Sequence, residues 1–172
     1  GYFSLFALSR FDGATAFSFE PIPANFRLLQ RNRGLNPGLP WFSVQKAVAG
    51  QPGELVLAFD GGDDFTTSAT VMGCDSGQKD RIRVPAVTIP EILDGNGLKR
   101  CDLLKMDCEG AEYDILYHCP SEVLTRIDRI ALEVHGGPGA DQNIDALDAF
   151  LRQGGFITRQ RQVGMLSAWR GE

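Results

Sequence analysis

The sequence predicts an α/β protein with a mostly parallel sheet, helices on both faces and an antiparallel hairpin at the C-terminal end. Three observations support this fold class. Strand-like and helix-like segments alternate along most of the 172 residues, as parallel sheets require. Residues 103–106 form a short apolar run, interrupted by one lysine, of the kind that is buried in such a sheet. Residues 156–161 and 165–169 flank a short turn and predict the hairpin, whose last strand is reversed.

The individual elements follow from periodicity and from turn residues. Pro23 suits the first turn of a helix that Gly34 ends. Helices are predicted at residues 2–9, 23–33, 90–93, 111–116 and 144–151. Strands are predicted at residues 15–19, 41–48, 54–59, 82–87, 103–106, 127–134, 156–161 and 165–169. Residues 60–79 are polar and rich in glycine, and we expect this loop to shape substrate choice. The length predicts a single domain over residues 1–172.

Composition narrows the classes of partner. The formal net charge is −5, and the 17 lysines and arginines form no basic stripe, so nucleic acid is not an expected partner. Arg27, Arg31 and Arg33 indicate a solvated helix face, although contact with an acidic substrate stays open. No stretch is long and apolar enough to cross a membrane. The four cysteines lack the spacing of a zinc site, which favours free thiols and a cytoplasmic protein.

The most informative stretch is residues 102–116, D-L-L-K-M-D-C-E-G-A-E-Y-D-I-L. It places the carboxylates of Asp107, Glu109 and Glu112 around Gly110, between a strand and a helix. Ligands of open α/β sheets bind at the C-terminal ends of strands, so Asp107 and Glu109 together indicate a site. Glu112 alone is better explained by its favourable interaction with the positive end of the helix dipole.

This stretch resembles the D-x-E-G-A-E signature of the FkbM-type methyltransferases, which depend on S-adenosylmethionine. Residues 1–4, 17–26, 84–89 and 131–135 also resemble segments of that family, in the family's order. The resemblance implies the Rossmann-like methyltransferase fold with its reversed last strand. The family's first strand and the start of its cofactor loop would precede Gly1, so we expect an N-terminally incomplete domain. Such a chain should bind its cofactor weakly or need a partner that completes the sheet.

The resemblance also implies cofactor-binding residues. Gly1, Tyr2 and Phe3 correspond to the end of the family's glycine-rich loop and the helix behind it. Glu20 ends a strand before Pro21, where a carboxylate can accept hydrogen bonds from both ribose hydroxyls.

Two further positions complete the expected cofactor set. Ala47 lies near the end of the third predicted strand, where this fold usually cradles adenine, although a small apolar residue suits a core equally well. Asp107 completes the expected set from the acidic motif.

His135 is the candidate catalytic base. It ends a strand that should neighbour the Asp107 strand, and histidine is well suited to accept a proton near neutral pH. We expect Asp107 to position the cofactor or the acceptor, and Glu109 to lie at the rim. Asp107, Glu109 and His135 could instead bind a divalent cation such as magnesium or manganese. The sequence leaves the choice between base and metal open.

These residues predict an S-adenosylmethionine-dependent methyltransferase, and the resemblance implies an oxygen acceptor on a small molecule or a sugar. A nicotinamide-dependent oxidoreductase is one alternative, since a strand-end acid such as Glu20 serves ribose there too. A non-catalytic nucleotide-binding module of the same fold is another.

Two charged residues inside apolar strands give a separate prediction. Lys105 precedes Asp107 by two positions, and Glu133 precedes His135 by two. If the two strands are neighbours in that register, Lys105 and Glu133 should meet as a buried ion pair.

Overall fold

Strands and helices alternate along the chain and build a mixed α/β structure. The computed structural model describes residues 1–59, 69–71, 80–161 and 164–171. The chain divides into an N-terminal unit, Gly1–Val48 with Gly53–Ala86, and a C-terminal unit, Ala49–Pro52 with Val87–Glu172. None of the helices in the described ranges combines the length and apolarity needed to cross a membrane.

The N-terminal unit begins with two helices and a parallel pair of strands. Helices α1 (Tyr2–Arg10) and α2 (Pro23–Gly34) alternate with strands β1 (Ala16–Phe19) and β2 (Trp41–Val44), which pair in parallel. Helix α2 begins with a proline, which lacks a backbone N–H. This causes no loss, because the first N–H groups of a helix have no hydrogen-bond partner within it. The buried core of this part comprises Leu8, Phe26, Leu29 and Trp41.

The rest of the N-terminal unit is a four-stranded sheet. Its strands are β3 (Ala47–Val48), β4 (Gly53–Phe59), β5 (Ala69–Val71) and β6 (Asp80–Val87), in the order β3-β6-β4-β5. Strand β4 is antiparallel to both β5 and β6. Most of the predicted 60–79 loop lies outside the described residues, and the part that is described is β5.

The single strand predicted over residues 41–48 is wrong. The segment forms two strands, β2 and β3, and they belong to different sheets because β2 pairs with β1 whereas β3 neighbours β6. The exposed side chains of Gln45 and Lys46 lie between the two strands. Ala47 therefore begins a short strand instead of ending a long one.

The described residues of the C-terminal unit form four helices and one sheet. The helices are α3 (Ile89–Gly95), α4 (Glu112–Tyr117), α5 (Ser121–Leu124) and α6 (Ile144–Gln153). The strands are β7 (Leu104–Asp107), β8 (Arg129–Glu133), β9 (Phe156–Arg161) and β10 (Met165–Arg170), in the order β7-β8-β10-β9. Helix α5 was not predicted, since four residues carry too little periodicity to be recognised.

Local sequence explains where the helices of this unit begin. Thr88 caps α3: its hydroxyl accepts from the backbone N–H of Glu91, whose carboxylate accepts from the backbone N–H of Thr88 at 3.0 Å. Asn143 caps α6 by accepting from the backbone N–H of Ala146 at 3.0 Å. Leu147 faces the core from α6 with no exposed surface.

The strand directions confirm one expectation and correct another. Strand β10 is antiparallel to β8 and β9, so the predicted reversed last strand is present. Strands β7 and β8 are parallel, as expected. The single, mostly parallel sheet is not found among the described residues, because the strands form three sheets and β4, β5 and β6 pair antiparallel. The coverage of both faces by helices stays a prediction.

Candidate active site

The turn between β7 and α4 has an unusual backbone. Asp107 ends β7, and Glu109 follows with a φ of 51° before Gly110 with a φ of 100°. Left-handed backbone is natural for glycine but costs a side-chain-bearing residue roughly 1–2 kcal/mol. Glutamate at such a position is worth noting because strained residues cluster at functional sites.

Glu112 holds this turn together. Its side chain has no exposed surface, and its carboxylate accepts the backbone N–H groups of Cys108 at 2.8 Å and Gly110 at 3.0 Å. A buried carboxylate needs such donors, since an unpaired buried charge is expensive. The expectation that Glu112 only favours the helix dipole is therefore too weak: the side chain organises the acidic loop.

His135 lies two residues beyond the end of β8 and faces this turn. Its Nδ1 is 3.3 Å from Oε1 of Glu112, and its Nε2 is 3.5 Å from Oε2 of Glu109. The imidazole is partly exposed, with 30% of its side-chain surface accessible, so a small molecule can reach it. Two carboxylates flanking an imidazole suit a group that gains positive charge when it accepts a proton.

Tyr113 fixes the backbone of the same histidine. The phenol donates to the carbonyl oxygen of His135 at 2.7 Å. Burial, helped by the negative charge of Glu112, raises the pKa of Tyr113 to about 12. The phenol therefore stays protonated over the physiological range and remains a donor.

Asp107 lies beside His135, as its place at the end of the neighbouring strand predicts. In the parallel register Asp107 is opposite Glu133. Asp107, Glu133 and His135 each offer a ligand atom, and these atoms lie within 4.8 Å of one another. Carboxylate oxygens with one imidazole suit magnesium or manganese. Glu109, expected as a ligand, does not belong to this set; Glu133 takes its place.

The ion pair predicted between Lys105 and Glu133 is wrong. The register sets Lys105 opposite Ala131, so the strands are offset by two residues from the alignment that the pair requires. The ammonium of Lys105 instead donates to the carbonyl of Met106 at 2.9 Å and lies 3.9 Å from Oδ2 of Asp107. An offset of two keeps each side chain on its face of the sheet but changes its partner.

The cysteines near the site are not poised as nucleophiles. Cys101, Cys108 and Cys119 are free thiols, and Cys74 lies outside the described residues. Burial, reinforced by the charge of Glu112, raises the pKa of Cys108 to about 12. A thiol with that pKa is protonated near neutral pH, which excludes it as a ready thiolate.

Glu20 follows β1 in the N-terminal unit and is half-buried. Its Oε1 accepts the backbone N–H of Ile22 at 2.9 Å. Burial raises the pKa of the Glu20 carboxyl, and the hydrogen bonds from Ile22 and Asn25 oppose that shift. A carboxylate has capacity for about four hydrogen bonds, so Glu20 can accept further donors. Pro21 follows it and is also half-buried.

The other expected cofactor residues differ in exposure. Tyr2 and Phe3 open α1 with 83% and 41% of their surface exposed. Gly1 precedes them, and a Cβ there would approach Cδ1 of Leu29 to 2.9 Å, so packing alone favours a glycine. Ala47 is buried, with 5% of its surface exposed, as a core residue would be. The cofactor roles of these four residues stay predictions.

The C-terminal unit thus defines a class of protein: an α/β fold that places acid–base groups at the carboxyl ends of neighbouring parallel strands, where such sheets bind ligands. The profile of the methyltransferase FkbM domain matches residues 1–158. The chain therefore belongs to the FkbM methyltransferase domain family.

The chain is also similar to three curated proteins. The chain is 28% identical to the AMB antimetabolite synthetase AmbE of Pseudomonas aeruginosa, over 96% of this chain but only 9% of that protein. It is 27% identical to the methyltransferase sdnD of Sordaria araneosa, over 99% of this chain and 78% of that protein. It is 26% identical to methyltransferase 1 of Beauveria bassiana, over 81% and 62% respectively. No solved structure matches the chain.

Proposed function

We propose that this chain transfers a methyl group from S-adenosylmethionine to a hydroxyl oxygen of a small molecule or a sugar. The observation that carries the proposal is the convergence of Asp107, Glu109 and His135 at the ends of β7 and β8. Membership of a methyltransferase family supplies the reaction class. The cofactor and the oxygen acceptor are our inference.

The charge of the acidic cluster fits this cofactor. Asp107, Glu109 and Glu133 lie around His135, and the nearby ammonium of Lys105 offsets only part of their charge. A negative site favours a sulfonium cation. Glu20 in the N-terminal unit fits the ribose hydroxyls, since a carboxylate accepts hydrogen bonds from both.

The chemistry requires a more reactive oxygen nucleophile. When bound, S-adenosylmethionine supplies an electrophilic methyl group, and a neutral hydroxyl attacks such a group poorly. His135 accepts the hydroxyl proton at Nε2, and the carboxylate of Glu109, 3.5 Å away, compensates the charge that the ring acquires. Asp107 orients the acceptor from the neighbouring strand.

A divalent cation is the second way to activate the hydroxyl. Asp107, Glu133 and His135 would hold it, and it would supply Lewis acidity. The carboxylate of Glu109 lies 3.5 Å from Nε2 of His135, where it can compensate the charge of a protonated ring, and this contact supports His135 as a base over His135 as a metal ligand.

The test uses S-adenosylmethionine labelled in the methyl group, with a panel of hydroxylated small molecules and sugars as acceptors. We expect label in a product ether, and a fall in turnover of about a hundredfold for His135→Asn with cofactor affinity unchanged. His118→Asn is the matched control, since His118 is an exposed helix-end residue that contacts Asp114. Binding of a nicotinamide cofactor in place of S-adenosylmethionine would favour an oxidoreductase, and binding without transfer a non-catalytic module.

A further inference from the structure

We propose that Glu112 is a positioning residue that fixes the ring orientation and the tautomer of His135. The inference rests on the proposed function, because it assigns Glu112 a role through the histidine that we take as the base. Glu112 itself does not contact the reacting atoms.

The first turn of α4 holds His135 at two points. Tyr113 donates to the backbone carbonyl of His135 at 2.7 Å, and Glu112 places Oε1 3.3 Å from Nδ1 of the ring. These contacts come from consecutive residues of one helix, so the backbone and the imidazole of His135 are located relative to the same rigid element. A base held in this way needs little rearrangement before it accepts a proton.

The hydrogen-bond inventory of Glu112 determines the tautomer. Its Oε1 accepts from the backbone N–H of Cys108 and its Oε2 from that of Gly110. An ionised carboxylate only accepts hydrogen bonds, so a contact with Nδ1 of His135 requires the proton on that nitrogen. In the neutral ring the lone pair then lies on Nε2, the nitrogen on the side of Glu109.

With this tautomer, the proton of the acceptor hydroxyl can be transferred only to Nε2 of His135. The acceptor hydroxyl loses its proton to Nε2, while Nδ1 keeps its proton and its contact with Glu112. Glu112 has no solvent-exposed surface, so water does not compete for this contact. A buried carboxylate behind a catalytic imidazole acts by orientation and by stabilising the charged ring, without becoming protonated.

A purely structural role for Glu112 makes different predictions. The two backbone N–H groups would by themselves justify a buried carboxylate, and His135 would then adopt either tautomer. Substitution of Glu112 would lower stability and reduce activity independently of His135.

The direct experiment is long-range ¹H–¹⁵N NMR on protein labelled at histidine, recorded where the imidazole is neutral. The chain has two histidines, so His118→Asn assigns the His135 signals. We expect the Nδ1–H tautomer of His135 in the wild-type protein. Observation of the Nε2–H tautomer there would overturn the inference without any need for a Glu112 variant to fold.

Glu112→Gln supplies the second measurement. We expect a mixture of His135 tautomers and a fall in kcat of tenfold or more, with the KM for S-adenosylmethionine changed less than twofold. The double variant Glu112→Gln/His135→Asn should be no slower than His135→Asn, since Glu112 acts through the ring. Losses that multiply in the double variant, or an unchanged tautomer, would show that Glu112 only holds the turn.

Glu91→Gln is the matched control. Glu91 also accepts a backbone N–H within the C-terminal unit, from Thr88, and the described hydrogen bonds and ion pairs of His135 do not include Glu91. Glu91→Gln should leave the tautomer of His135 unchanged. The NMR result does not depend on turnover, so it separates failure of this inference from failure of the proposed function. A wild-type protein that transfers no methyl group would overturn the proposed function, whereas the Nε2–H tautomer, or a His135→Asn protein with wild-type turnover, would overturn the positioning role of Glu112.

Discussion

Replacing Glu20 by glutamine should weaken cofactor binding and, at neutral pH, make the protein more stable. Oε1 already accepts the N–H of Ile22 at 2.9 Å, and the amide oxygen of glutamine can keep that bond. The other oxygen becomes an NH₂ group, which cannot accept a ribose hydroxyl. Loss of one hydrogen bond to a charged acceptor costs about 1.5–3 kcal/mol, which is about a 10- to 150-fold rise in Kd.

The stability effect follows from the pKa of Glu20. Burial raises this pKa above its ordinary value of 4.5, so the folded protein holds the carboxyl proton more tightly than the unfolded chain does. The resulting stability is complete below the ordinary pKa and is lost as the pH rises through the raised, folded value. Glutamine never ionises, so it avoids this loss at neutral pH.

Calorimetry with S-adenosylmethionine and thermal unfolding at about pH 4 and about pH 7.5 measure the two effects. We expect the difference in melting temperature, Glu20→Gln minus wild type, to be larger at about pH 7.5 than at about pH 4. Glu54→Gln is the control, because Glu54 is exposed and pairs with Arg83 in the same unit. An affinity within twofold of wild type would remove Glu20 from the cofactor site, and a relative melting temperature that falls with pH would refute the burial argument.

Three further outcomes can be checked. Glu109→Gly should relieve the strain of the left-handed backbone, stabilise the protein by up to about 1 kcal/mol and lower turnover. Gly110→Ala should destabilise the protein, and a lower melting temperature for Glu109→Gly would show that the backbone of Glu109 is not strained. Burial raises the pKa of Cys119 to about 11, so its thiol should react slowly with iodoacetamide at about pH 8 in the folded protein. Mass spectrometry of the peptide that contains Cys119 measures this rate, and modification as fast as in the unfolded chain would contradict the prediction. Chelation with EDTA should leave turnover within about twofold; a loss restored by magnesium or manganese would assign His135 to a metal.

The order and type of most elements could be read from the sequence because their signals are local. An apolar run predicted β7, Pro23 and Gly34 bracketed α2, and two strand-like runs around a short turn predicted the β9–β10 hairpin. The acidic motif marked the turn after β7, and the rule that strand ends bind ligands joined Asp107 to His135. These inferences need only neighbouring residues and one topological rule.

Pairing between distant segments needed the tertiary structure. Nothing local indicates that residues 41–48 divide between two sheets, or that β4, β5 and β6 pair antiparallel. Register is likewise non-local: an offset of two residues leaves the alternation of each strand unchanged, yet it moves Lys105 away from Glu133 and brings Glu133 opposite Asp107.

The sequence alone determined the family, the strand–turn–helix motif and the identity of the candidate base. The tertiary structure decided which groups surround that base. From the sequence, Glu112 is interpreted as an acid at the start of a helix, because neighbouring residues do not indicate whether its side chain is buried. Only the folded chain brings its carboxylate to Nδ1 of His135. The physical reason is that propensity and periodicity act within a few residues, whereas burial and hydrogen-bond partners depend on how separate elements pack.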